Sequence, residues 1–259
     1  MDFLSLVTVL ETHWPIIVLF FAIALLYSSV GFGGGSSYLA VLAFMGIAFI
    51  QIRSTALLCN IAVVSGNVLL YQQRKLLDWK RITPLIVFSV PLAYLGGMLQ
   101  ISQTFFFILL GFTLLFAAIT MWNSKRIVGK EKVLKKSGTL KNSMYGGIIG
   151  FVSGMVGIGG GIFLAPVLHL THWNTPKKIA ATASLFILIN SIAGLIGQYS
   201  NENFTIDWGF TITLLVTVFI GGQIGSRLSN RYFTAIQLKK ATAILIAFVA
   251  IRILWKYLF

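Results

Sequence analysis

Charged residues are scarce in this chain. Asp, Glu, Lys and Arg together make up 10% of its 259 residues, whereas they make up about 25% of an average globular protein. Hydrophobic residues make up 57%. Because a soluble core cannot bury that much apolar surface, the composition excludes a soluble globular domain and predicts an integral membrane protein.

Acidic residues are the rarest of the charged ones. The chain has 6 Asp and Glu against 20 Lys and Arg, which gives a formal net charge of +14. No carboxylate lies in the middle of an apolar run, so we expect no carboxylate proton relay across the membrane. The basic residues form short clusters between apolar runs, where they orient membrane spans, and we therefore expect no nucleic-acid partner.

Cysteine and histidine are also rare. The single cysteine, Cys59, excludes an internal disulfide and a cysteine metal site, and the chain has three histidines. Neither an HExxH motif nor a phosphate loop of the GxxxxGKS type occurs. We therefore expect a protein that is not an enzyme, with no catalytic residues, no metal and no cofactor.

Long apolar runs are what the sequence has in abundance. A membrane span needs about 20 apolar residues, and six runs meet that length: 53–73, 82–100, 104–122, 179–199, 207–226 and 237–257. Two further regions, 14–50 and 142–172, are too long for one helix and are cut by glycines into pieces of about 11 to 17 residues. We expect these pieces to be re-entrant or tilted segments.

The two glycine cuts are copies of one motif. Gly31-Phe32-Gly33-Gly34-Gly35 returns as Gly157-Ile158-Gly159-Gly160-Gly161, and other short matches follow in the same order. The sequence thus predicts two repeats, residues 1–122 and 142–259, joined by a basic cytoplasmic linker, 123–141. Each repeat is expected to contain a glycine-broken hairpin and three transmembrane helices, an all-α fold.

Charge counting predicts how the repeats face each other. If each broken region enters and returns as a hairpin, 17 of the 20 Lys and Arg lie on one side of the membrane, as the positive-inside rule requires. Single crossings would split them 13 to 7 at best. Each repeat then makes three net crossings, so the second is inverted, and the two glycine turns approach each other near the midplane, where such transporters bind substrate.

The candidate binding residues surround these turns. Backbone N–H groups at a helix start attract anions, and glycines allow close approach; hydroxyl and amide side chains add donors. The alternative is that the glycines only allow close helix packing, and that Arg53 only snorkels to the interface. The predicted substrate-binding set is Gly33, Gly34, Gly35, Ser36, Ser37, Arg53, Thr55, Gly159, Gly160, Gly161, Thr182, Ser184, Asn190, Ser191 and Gln223.

The sequence resembles the sulfite exporter TauE/SafE family, also called the toluene sulfonate uptake permeases. The resemblance rests on the doubled GxGGG motif, on 180–184 (AATAS) and Asn190-Ser191, and on an Asp-Trp pair before each Gly-Gly span, at Asp78-Trp79 and Asp207-Trp208. It implies a multi-pass transporter of the bacterial inner membrane for sulfur-containing anions such as sulfite or organosulfonates.

We therefore expect a secondary transporter that binds a small anion at the midplane and alternates access between the two sides. An anion channel and a non-transporting membrane partner subunit are the alternatives on the same scaffold. The expected partners are the small anion and the lipid bilayer. A coupling ion, proton or sodium, and a homo-oligomer stay open.

Overall fold

Helices form all of the regular structure that the computed structural model describes, namely residues 3–29, 31–123, 138–202, 204–228 and 235–258. The prediction of an all-α fold is confirmed. Ten helices lie in these ranges: α1 (Phe3–Ser29), α2 (Gly35–Phe44), α3 (Phe49–Gln73), α4 (Trp79–Met98), α5 (Gln103–Trp122), α6 (Thr139–Val156), α7 (Gly161–Leu170), α8 (Pro176–Tyr199), α9 (Trp208–Leu228) and α10 (Ala235–Leu258).

The long helices agree with the predicted spans. In the described ranges, six helices are long and apolar enough to cross a membrane, and they lie in α1, α3, α4, α5, α8 and α9. The last five coincide with predicted spans. The remaining predicted span, 237–257, coincides with α10. Most of the predicted linker, 124–137, lies outside the described residues, and α6 already begins at Thr139.

The prediction of short pieces is wrong for the first broken region. Helix α1 has 27 residues, and its stretch Glu11–Ser29 is one of the six apolar spans. The predicted region began at residue 14, but the helix extends before it through Glu11, with a kink at His13, just before Pro15. Proline lacks the N–H that the preceding turn needs, so it bends the helix without ending it.

Both glycine motifs break a helix and reverse the chain. Gly31 and Gly34 in the first, and Gly157, Gly159 and Gly160 in the second, have φ between 81° and 91°. This left-handed backbone is open to glycine at little cost.

Side-chain contacts show that the chain folds back after the first break. The ring of Tyr38 in α2 stacks on that of Phe20 in α1, with centroids 4.6 Å apart, and the hydroxyls of Tyr27 and Ser37 are 2.9 Å apart. The region from α1 to α2 is therefore a helical hairpin, as predicted.

The helices of the two halves pack in matching pairs. Helix α1 runs parallel to α9, because Gly221 faces the carbonyl of Phe21 and Gly225 faces that of Leu25. Helix α4 runs parallel to α6 in the same way. There Gly146, Gly150 and Gly154 face the backbone of Leu85, Ser89 and Ala93 in turn. Such glycine stripes let backbones approach closely, which is how membrane helices associate.

Equivalent helices of the two halves run antiparallel to each other. In α5 and α10, Phe107 stacks on Tyr257 with centroids 4.6 Å apart, while Lys240 lies 5.1 Å above the ring of Trp122. In α3 and α8, Leu57 near one start lies beside Gly194 near the other end. Antiparallel contact between equivalent helices is what an inverted repeat requires. The orientation of each half in a membrane stays a prediction.

The outer surface of the bundle is apolar and edged with tryptophan. Trp79, Trp122, Trp208 and Trp255 are exposed, and each lies near an end of a long helix. Tryptophan at this position is typical of the boundary between lipid and water. This arrangement fits a multi-pass protein whose helix ends reach both membrane surfaces.

Candidate functional site

Two short helices, α2 and α7, begin inside the bundle at the glycine breaks. Their N-caps are Gly34 and Gly160, both left-handed, and no side chain caps either helix. A helix start carries free N–H groups and a partial positive charge. The breaks therefore place two uncapped positive helix ends in the interior of the protein.

Asn60 of α3 lies between the two breaks. Its Nδ2 donates a 2.9 Å hydrogen bond to the carbonyl oxygen of Ile158 in the second break. Its Oδ1 lies beside the first break, only 2.5 Å from where a Cβ on Gly33 would be. A Cβ on Gly35 would meet both the Asn60 amide and the Ile158 carbonyl. The two breaks are thus joined by one side chain and leave no room for larger residues.

Helix α8, which belongs to the second half, contacts both breaks. Ser184 Oγ donates a hydrogen bond to the carbonyl oxygen of Gly31 in the first break. Ser191 Oγ lies beside the second break, 2.7 Å from where a Cβ on Gly159 would be. The fold therefore brings together Gly33, Gly35, Gly159, Ser184 and Ser191 of the predicted set.

Polar atoms without partners cluster at this place. Asn60 Oδ1 and Ser191 Oγ are buried and have no hydrogen-bond partner among the described residues, and the same holds for Oδ1 of Asn190, the residue before Ser191 in α8. A buried polar group that stays unpaired costs about 1–3 kcal/mol. Unpaired groups beside two positive helix ends are expected where a ligand or water binds.

The structure places the other predicted glycines against their own half. A Cβ on Gly34 would meet Ile23, a Cβ on Gly160 would meet Phe186, and a Cβ on Gly161 would meet Ile187. Gly34 and Gly160 make the tight turns and Gly161 begins α7, but a Cβ on any of the three would not have Asn60 among its nearest neighbours.

Several predicted polar residues have partners elsewhere. Ser36 is buried, Ser37 pairs with Tyr27, and the Thr55 hydroxyl lies 3.3 Å from that of Thr211. Within α8, Thr182 donates to the Lys178 carbonyl and Asn190 Nδ2 to the Phe186 carbonyl. Gln223 packs against Gly66 of α3.

Arg53 is buried near one end of the bundle, two helical turns before Asn60. Its side chain is 7% exposed, so it does not snorkel to the surface. Nη2 donates to the carbonyl oxygens of Gly96 at 3.5 Å, Gly97 at 3.3 Å and Gly154 at 3.2 Å. In the described part of the chain the ion pair is Arg81 with Asp78, so no carboxylate neutralises Arg53 there.

A cavity of about 210 Å³ opens beside Arg53. It is formed where α3 begins, where α4 and α8 end, and by the loops that follow α4 and α8. Its lining residues are Phe49, Arg53, Leu99, Gln100, Ile101, Gln198, Asn201 and Phe204.

The opposite end of the bundle is tied together by a charged cluster. Arg81 of α4 donates to the carbonyl oxygen of Trp173, which is 1% exposed and follows α7. Arg81 Nε is 3.8 Å from Asp78 Oδ2, which lies 3.4 Å from the Asn174 amide. These contacts join the loop before α4 to the loop before α8.

Asn60 and Gln198 are the residues that the predicted binding set omitted. Asn60 lies in the middle of the apolar run 53–73, and Gln198 lies near the end of the run 179–199; an unpaired amide in such a run is costly. That cost is the sequence signal that points to them. Within the described ranges, no group of three or more His, Cys, Asp and Glu lies close enough to hold a metal ion.

Comparison with known proteins places this architecture in a family. The family model of the sulfite exporter TauE/SafE matches residues 16–253. The "probable membrane transporter protein y4hK" of Sinorhizobium fredii is 33% identical over 92% of this chain and 96% of its own. The "probable membrane transporter protein MJ0441" of Methanocaldococcus jannaschii is 24% identical over 83% and 86%. No solved structure matches. The chain belongs to the sulfite exporter TauE/SafE family of membrane transporters, which are not enzymes.

Proposed function

We propose that this transporter carries a small sulfur-containing anion, such as sulfite or an organosulfonate, across the bacterial inner membrane. The observation that carries the proposal is the meeting of two uncapped helix starts at Asn60. Two positive helix ends, together with the unpaired hydroxyl of Ser191, attract a compact anion. They offer no carboxylate that would hold a cation.

The arrangement of the halves supports alternating access. The cavity beside Arg53 opens at one end of the bundle, and the cluster of Arg81, Asp78, Trp173 and Asn174 ties the loops at the other end. Rocking of one half against the other would loosen that cluster and close the cavity. The proposed site at Asn60 lies between these two ends.

Reconstituted transport tests this proposal. We expect the full-length protein in liposomes to take up radiolabelled sulfite with saturation, and to exchange it faster when unlabelled sulfite is loaded on the opposite side. A transporter shows such counterflow because its site returns loaded. A channel would conduct without saturation at these concentrations, and a partner subunit alone would move nothing. Equal inhibition by a neutral amino acid would contradict the anion assignment.

The orientation of the halves yields a separate prediction. Gln73 ends α3 and Ser200 follows α8, so they occupy equivalent places in the two halves. In a Cys59→Ser background, Ser200→Cys is expected to react with an impermeant thiol reagent from outside the cell, because the basic clusters orient its loop outward. Gln73→Cys should react only after permeabilisation.

Two exposed residues serve as controls for this labelling. Ser102, in the loop after α4, should behave like Ser200, and Thr175, just before α8, should behave like Gln73. If Gln73→Cys and Ser200→Cys react from the same face, the inverted repeat is wrong.

A further inference from the structure

Arg53 is a buried cation without a counter-ion in the described part of the protein. Its contacts are three carbonyl oxygens at 3.2–3.5 Å, all made by Nη2. Among the described residues, neither the buried Nε nor Nη1 has a hydrogen-bond partner. Carbonyl dipoles do not neutralise a full charge, and a buried unpaired charge is strongly unfavourable. A bound anion would neutralise the buried charge of Arg53.

The second donor of the same cavity is also unsatisfied. Gln198 is 5% exposed, and its Nε2 has no partner among the described residues. Gln100 and Asn201 complete the polar part of the lining. The charged and polar groups of the lining are thus one guanidinium and three amides. Glu202 follows Asn201 at the surface but does not line the cavity.

We propose that the cavity lined by Arg53, Gln198, Gln100 and Asn201 is a second anion site, which captures a small sulfonate or related oxyanion before it reaches Asn60. The guanidinium presents a planar fork that matches two oxygens of one anion, and the amides supply further donors. The choice of sulfonate rests on the proposed function.

Distance separates this cavity from the glycine breaks. Arg53 and Asn60 lie on one helix, seven residues apart, which corresponds to about 10 Å along the axis. A volume of about 210 Å³ accommodates a small anion, and one such ion cannot contact both places. The basic clusters lie at the other end of the bundle, so the cavity faces outward if the positive-inside rule holds. The outer site then controls which anions enter.

Protection of an introduced cysteine tests the proposal. Ile101 lines the cavity and carries no polar group, so Ile101→Cys in a Cys59→Ser background reports occupancy without removing a donor. We expect methanesulfonate to slow its reaction with an impermeant thiol reagent in the full-length protein. Methanesulfonamide, which has nearly the same shape and no charge, should not protect it.

Two variants identify the donors. Arg53→Gln should weaken methanesulfonate protection at least about tenfold, since a hydrogen bond to a charged group is lost. Because Arg53 also ties α4 to α6, its variant is checked for a single symmetric peak in size-exclusion chromatography. Gln198→Leu leaves those contacts intact and should also weaken protection severalfold.

The outcomes separate this site from the transport function. Asn60→Leu should keep the protection at Ile101→Cys, because it alters only the inner site. Full protection in folded Arg53→Gln, or equal protection by methanesulfonamide, would overturn the proposal even if anion transport is observed. Protection without any anion flux in liposomes would instead keep the outer site and reject the proposed function.

Discussion

Asn60→Leu is expected to reduce anion transport at least about fivefold while the protein stays folded in the membrane. The side chain keeps its branching and its number of heavy atoms but loses the hydrogen bond to the Ile158 carbonyl and the oxygen beside Gly33. Loss of one buried hydrogen bond costs about 1–3 kcal/mol, which is a factor of about 5 to 150 in an equilibrium constant. Initial rates of radiolabelled sulfite uptake in liposomes measure the effect.

The matched control for this variant lies on α8, the equivalent helix of the other half. Thr182 belongs to the predicted binding set, but its hydroxyl donates to the Lys178 carbonyl of its own helix. Thr182→Val removes that hydroxyl with almost no change of shape, so transport should stay within about twofold of the parent. If Asn60→Leu transports as well as Thr182→Val, the space around Asn60 is not the substrate site.

The architecture could be predicted because it depends on features that the sequence displays directly. The length of apolar runs sets the number of long helices. A triplet of glycines inside such a run breaks the helix, and its return half a chain later indicates a repeat. The full length of α1 escaped this reasoning, because the predicted region began at residue 14 whereas the helix also includes Glu11 and His13.

The site could be predicted only in part, because its contacts join residues distant in sequence. The glycines were evident, but which of them face the partner half depends on how the hairpins dock. Gly33 and Gly159 lie beside Asn60, whereas Gly34 faces Ile23. The burial of Arg53 likewise depends on carbonyl groups that belong to α4 and α6. No local pattern in the sequence predicts the contact between Arg53 and these carbonyl groups.

Gly150→Leu is expected to abolish recovery of folded protein. A Cβ at this position would lie 2.6 Å from the Ser89 carbonyl oxygen and 2.8 Å from its Cα. Both obstacles are backbone atoms, so α6 and α4 would have to move apart along their whole contact. Overpacking a tight core commonly costs about 1–3 kcal/mol when side chains can yield, and backbone yields less. The cost is therefore a large share of a total stability of about 5–15 kcal/mol.

Size-exclusion chromatography and thermal unfolding in detergent measure this loss, and the chain offers graded controls. Among the described residues, no atom lies within 4 Å of a Cβ added to Gly138, so Gly138→Leu should leave the folded yield unchanged. A Cβ on Gly147, on the same helix as Gly150, would meet the side chains of Leu92 at 2.9 Å and Phe88 at 3.8 Å, so Gly147→Leu should have an intermediate effect.

The equivalent contact in the other half extends the prediction. In the parallel pair of α1 and α9, a Cβ on Gly221 would lie 2.8 Å from the Phe21 carbonyl oxygen. Because the two pairs have the same geometry, Gly221→Leu should fail to fold as Gly150→Leu does. Normal yield of both variants would show that the helices can separate without loss, and that close backbone approach does not hold the halves together. Failure of one alone would show that the two halves contribute unequally to stability.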